Sequence, residues 1–109
     1  MMWIFTTKGF LSIVQHNSMP DHFQVRSRVI NPLSALWPDH EVEVIDWADY
    51  RFRITILKAE VVPVLAEQIA AVGYTNFKNE CRRDEEYQEA LGVVWETMYH
   101  YQTSVERDG

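Results

Sequence analysis

A chain of 109 residues, 47% apolar and 24% charged, has the length and composition for one globular domain with its own core, without disulfide or metal support. Its formal net charge of −6 argues against broad, non-specific duplex binding, which rests on neutralising phosphates with Lys and Arg; a local basic patch stays open, because acidic helices or tails can set the total. Cys81 is the single cysteine, so no internal disulfide forms. No apolar run approaches the ~20 residues of a membrane span, and residues 1–5 lack the basic and small-residue features of a secretion signal. A cytoplasmic setting is expected.

In chain order, residues 3–6 read as a first strand. Residues 10–16 read as a second, with Gly9 allowing either a hairpin or one long strand with a bulge. Residues 17–21 form a turn cluster. Phe23, Val25, Ser27 and Val29 then alternate with Gln24, Arg26 and Arg28, which predicts a strand with a basic outer face. Asn31 and Pro32 suit the N-cap and first position of a short helix over residues 31–37. Residues 41–46 alternate acid and aliphatic side chains as a strand. After a turn, Tyr50, Phe52, Ile54 and Ile56 alternate with Arg51, Arg53 and Thr55, the pattern of a half-buried strand. The period becomes helical over residues 59–72, with Val61, Leu65, Ile69 and Val72 on one side, Pro63 near the first turn and Gly73 as the stop. A connector over residues 74–79 leads to a last helix over residues 83–102, striped by Tyr87, Leu91, Val94, Met98 and Tyr101.

This order predicts an α+β fold: an antiparallel sheet with helices packed on one face, a ferredoxin-like or related two-layer sandwich. Residues 1–103 form the expected domain, and residues 104–109 a frayed tail.

Two surfaces are candidates for function. Arg26, Arg28, Arg51 and Arg53, with Lys78, make a candidate anion-binding set, since guanidinium groups bind phosphate bidentately. Cross-strand pairing with Glu41 and Glu43 is the structural alternative. The aromatics of the strand beginning at Tyr50 are assigned to the other face, which disfavours nucleic acid as the ligand. The second surface is aromatic: Trp47 at a turn, with Trp95 and Tyr99 flanking the stripe of the last helix, are residue types that anchor protein interfaces. The leading expectation is a non-catalytic binding or regulatory protein acting through a protein partner, with an anion-, RNA- or nucleotide-binding module as the alternative. The N-terminal strand offers an edge for a homodimer.

Catalysis gains little support. Asp46 and Asp49 more simply serve a turn than acid–base chemistry, and the basic neighbours of Cys81 (Lys78, Arg82 and Arg83) are matched by Glu80, Asp84, Glu85 and Glu86 as close in sequence. His16, His22, His40 and His100 lack metal-ligand spacing. No metal or cofactor is expected.

Trp3-Ile4-Phe5-Thr6, Gly9-Phe10 and Ser12, Val25-Arg26-Ser27-Arg28, Ala48-Asp49-Tyr50 with Arg53, Tyr74-Thr75-Asn76-Phe77-Lys78, and Val94-Trp95 with Met98-Tyr99 carry a resemblance. The chain resembles a family of small uncharacterised bacterial and phage proteins, over nearly its whole length. It departs at Thr75, where Pro is expected. The resemblance implies a cytoplasmic single domain and transfers no activity and no catalytic residue. The small, acidic, aromatic-rich character of a phage-like domain is what suggests an inhibitor of a host defence complex that mimics nucleic-acid charge.

Overall fold

The computed structural model describes residues 1–108, and Gly109, the last residue of the expected tail, lies outside them. The chain divides into two compact units, residues 1–72 and 73–109.

The first unit is a five-stranded antiparallel sheet in the order β1-β2-β3-β5-β4. Its strands are β1 (Met2–Thr6), β2 (Gly9–Gln15), β3 (His22–Ser27), β4 (Glu43–Val44) and β5 (Phe52–Leu57). Gly9 settles the choice between bulge and hairpin in favour of a hairpin, in which Thr6 pairs with Gly9 and Phe5 with Phe10. The Thr6 hydroxyl donates to the Gly9 carbonyl and accepts from the Lys8 and Gly9 N–H groups, closing the turn with a side chain. Gly9 has φ +142°, a region that side chains disfavour.

Register decides which residues share a face, because residues directly opposite each other project to the same side. Ile13 pairs with Val25 and Val25 with Ile54. Leu11, Ile13, Val25, Ile54 and Ile56 therefore form one floor, and the core closes on it with Leu33 and Trp37 from α1 (Asn31–Leu36) and its C-cap, and Val61 from α2 (Lys58–Ala70). The result is an α+β two-layer arrangement with α1 and α2 on one face of the sheet. Its element order differs from the β-α-β-β-α-β of ferredoxin-like folds, so the related form of the expected sandwich is the one adopted.

Several local expectations shift. Helix α1 starts at Asn31 with Ile30 at the N-cap, one residue earlier than the capping pattern suggested. Strand β4 is two residues long rather than six. Pro63 sits inside α2 rather than in its first turn. The apolar side of α2 meets the core through Val61, Val64 and Leu65; Ile69 is exposed, as is Val72, which lies past the helix end at Ala70.

The second unit holds α3 (Phe77–Glu80) and α4 (Glu85–Asp108). The Asn76 side chain accepts from the Asn79 N–H and caps α3, and the Asp84 carboxylate accepts from the Tyr87 N–H where α4 begins. The last helix runs to Asp108, so residues 104–108 continue it. Leu91 is buried, whereas Met98 and Tyr101 of the same stripe are exposed.

Candidate functional site

The face of the sheet opposite α1 and α2 carries the candidate site. Ser12 pairs with Arg26, and Arg26 with Arg53, so two guanidinium-bearing residues lie side by side across neighbouring strands. Like charges in this position destabilise a sheet unless something offsets them. Arg28, just past the end of β3, joins them. All three converge on Tyr50. The Arg26 and Arg28 guanidinium groups lie 4.5 and 4.4 Å from the centre of its ring, and Arg53 donates to its backbone carbonyl at 3.0 Å. Arg28 also donates to the Asp49 carbonyl, Arg26 to the Ser12 hydroxyl, and Arg53 to the Gln24 side-chain oxygen.

Tyr50 thus leaves the apolar alternation in which the sequence placed it. Strand β5 starts at Phe52, so counting by twos from residue 50 runs through a bend, and the ring turns to the arginine side. It is 3% exposed and stands outside the main core.

Among the described residues, no carboxylate lies within ion-pair distance of Arg26, Arg28 or Arg53. The anticipated pairing of Glu41 and Glu43 with the sheet arginines does not form, although Glu43 lies opposite Arg53 in register. Among the described residues the buried Nε atoms of Arg26 and Arg53 have no hydrogen-bond partner, and the terminal nitrogens of the two guanidinium groups make the bonds to Ser12, Gln24 and the Tyr50 carbonyl.

The other two members of the anion-binding set go elsewhere. Arg51 forms an ion pair with Asp46 at 2.8 Å within the β4–β5 turn. Lys78 belongs to the second unit, where its ammonium lies 4.7 Å from the Trp95 ring centre.

The arginine face is also aromatic, which corrects the assignment of aromatics to the other side. Trp3 shares the side of Ser12, and Phe5 that of Phe10. Phe10 stacks on Phe5 at 4.7 Å, meets Trp3 edge-on at 5.7 Å, and lies 6.4 Å from Tyr50. A row of rings therefore leads from the arginines to Trp3, which is 57% exposed. Sequence reasoning missed Trp3, Phe5, Phe10 and Tyr50 as site residues. The alternation of β1 and β2 held the signal for the first three, once the hairpin register was known.

The aromatic candidates stand as follows. Trp47 lies in the turn between β4 and β5 and is 89% exposed. Trp95 and Tyr99, 57% and 51% exposed, stack on each other on α4 with centroids 5.6 Å apart and planes within 8°. The two groups belong to different units.

The titratable residues have local duties. Asp49 accepts from the Tyr50 N–H, and Asp46 holds Arg51. His16 Nδ1 accepts from the Ser18 and Met19 N–H groups. His22 bonds Asp21 at 2.7 Å and thereby holds that carboxyl below its usual range. Burial, then the charges of Glu80 and Asp84, push the Cys81 thiol up, away from the thiolate a nucleophile needs. Among the described residues, no group of three or more His, Cys, Asp or Glu is placed to hold a metal ion, and no helix is long and apolar enough to cross a membrane. Comparison with protein-family models, with curated proteins and with solved structures gave no match.

Proposed function

We propose that this protein is a non-catalytic cytoplasmic binding module whose arginine–aromatic sheet face takes single-stranded RNA. The observation that carries the reading is the gathering of Arg26, Arg28 and Arg53 around Tyr50, without a carboxylate partner, in a protein of net charge −6. Guanidinium groups contact phosphate, and exposed rings such as Trp3 stack on unpaired bases. The net negative charge disfavours long-range capture of duplex, so a short strand on a local patch is the form that fits. The test is fluorescence anisotropy with a labelled single strand of roughly ten nucleotides, titrated across salt concentrations. Binding that weakens with salt, and weakens again in Arg28→Ala and Trp3→Ala, supports the reading. Absence of binding at low salt, or binding indifferent to both changes, overturns it.

A second reading has its own observation. The exposed Trp95–Tyr99 stack, with Lys78 over Trp95, offers rigid aromatic area of the kind that anchors protein partners, and Trp47 offers another anchor. On this reading the protein acts through a protein partner, as a phage-type inhibitor of a host defence complex would. A partner retained at high salt by the native protein and lost by Trp95→Ala supports it. Retention by both, with the variant folded, removes Trp95 from the interface.

A further inference from the structure

Strand β1 lies at one end of the sheet order, and its open side can be read from the pairing. The His16 N–H donates to the His22 carbonyl at 3.1 Å, which makes residues 16 and 22 a hydrogen-bonded pair of the β2–β3 ladder. Antiparallel ladders alternate bonded and non-bonded pairs, so Val14 with Gln24 and Ser12 with Arg26 are bonded pairs too. Leu11 and Ile13 therefore turn their backbone groups the other way, to Ile4 and Met2 of β1. It follows that Met2, Ile4 and Thr6 bond inward, while the N–H and C=O groups of Trp3 and Phe5 point out along the free edge.

Natural sheets blunt such an edge with charge, Pro or a bulge. Met2–Thr6 has none of these. Residues 1–20 contain no Asp or Glu, and Lys8 is their one charged side chain. In an acidic protein, this stretch brings no carboxylate of its own to a contact between two copies.

We propose that β1 pairs antiparallel with β1 of a second copy about a two-fold axis through Ile4. That register brings Trp3 opposite Phe5 of the second copy, and the reverse, so both outward residues become bonded pairs and four backbone hydrogen bonds form. Ile4 meets Ile4 on the axis, and Met2 meets Thr6. The side chains agree with the backbone: each Trp3 gains a ring as its cross-strand neighbour, a favourable pair. The product is an isologous dimer with one sheet running through both copies and the two aromatic rows meeting at the axis. This inference stands apart from RNA binding, since the edge pairs whether or not the arginines hold a ligand.

The experiment combines sedimentation velocity over a concentration series with amide hydrogen exchange on the full chain. A dimer whose fraction rises with concentration is expected, with the Trp3 and Phe5 amides slowing as it forms. Trp3→Pro removes an outward donor without touching the bonds to β2. Because the two-fold loses that bond twice, it should weaken the dimer about tenfold or more. A chain that stays monomeric up to about 1 mM, or a dimer in which the Trp3 and Phe5 amides exchange freely, overturns the proposal. If Trp3→Pro does not fold, the exchange of those two amides in the native chain decides it alone.

Discussion

The Arg26 guanidinium lies 4.5 Å from the centre of the Tyr50 ring, on the side of the sheet opposite α1 and α2, and Arg28 lies 4.4 Å from the same ring. The ring spreads two positive charges that have no carboxylate within ion-pair distance among the described residues. Each such interaction stabilises by about 0.5–2 kcal/mol. Tyr50→Phe keeps the ring and is expected to change stability by less than about 1 kcal/mol. Tyr50→Leu removes it, leaves two guanidinium groups without their support, and is expected to cost about 2–4 kcal/mol. Urea denaturation of the two variants is the measurement. Equal losses would mean that the ring supplies volume only.

The arginines are not equivalent, and salt dependence should separate them. Arg51 is tied to Asp46 by an exposed ion pair, whose stabilisation is about 0–1 kcal/mol, and its charge is already matched. Arg28 is exposed and has no carboxylate partner among the described residues. For single strands, the slope of log affinity against log salt falls by about 0.7 for each phosphate that is no longer neutralised. Arg28→Ala is expected to reduce the slope by about that amount, and Arg51→Ala to leave it unchanged. Titrations at several salt concentrations test both. An equal effect of the two variants would spread the site over the whole basic set and detach it from Tyr50.

How far these features are legible in the sequence depends on what each one needs. The alternation of Phe52, Ile54 and Ile56 is local, and it placed those residues on the helix side correctly. Tyr50 broke from the pattern because the strand begins two residues later, and a periodic count does not register where a bend ends. The meeting of Arg26 with Arg53 is a matter of register between strands 27 residues apart, and the hydrophobic pattern alone does not specify which strands become neighbours. Ile69 and Val72 show the converse. Their spacing is helical and amphipathic, yet both are exposed and the helix stops at Ala70, so periodicity found the face and overestimated its length. Trp95 and Tyr99 were legible as flanking residues, because helix geometry alone sets their angle from the stripe.

The β1–β2 turn offers a test of the hairpin that both the site and the free edge depend on. A Cβ at Gly9 would lie 2.9 Å from Cγ of Pro32 and 3.0 Å from its Cβ and Cδ. A proline ring has little freedom to move aside, and φ +142° is itself unfavourable for alanine. The two effects act together, so Gly9→Ala is expected to destabilise by about 2–4 kcal/mol. A methyl group added at Gly92 would meet no atom within 4 Å, and the residue sits within α4, so Gly92→Ala should stabilise by about 0.5–1 kcal/mol through helix propensity. Thermal melts of the two variants should move in opposite directions. A Gly9→Ala protein as stable as the native chain would contradict the close approach of α1 to the turn.

The second unit should loosen in alkali. Burial, then Glu80 and Asp84, raise the Cys81 thiol, and burial, then Cys81 and Asp84, raise the Tyr87 hydroxyl well beyond its usual range. Both groups hold their protons more tightly folded than unfolded. Above the unfolded cysteine value of about 8.5, the unfolded chain has lost a proton that the folded chain keeps, and stability falls as pH rises. Tyr87 adds the same slope from about pH 10. The stabilisation is complete below about pH 8 and drains away through the alkaline range. Helical circular dichroism during denaturant titrations at neutral pH and near pH 10 should show the loss. Cys81→Ala and Tyr87→Phe each remove one ionisation, so each should flatten the pH dependence even where it changes stability at neutral pH. A native protein equally stable at both pH values would mean that neither group is shielded from water in the folded chain.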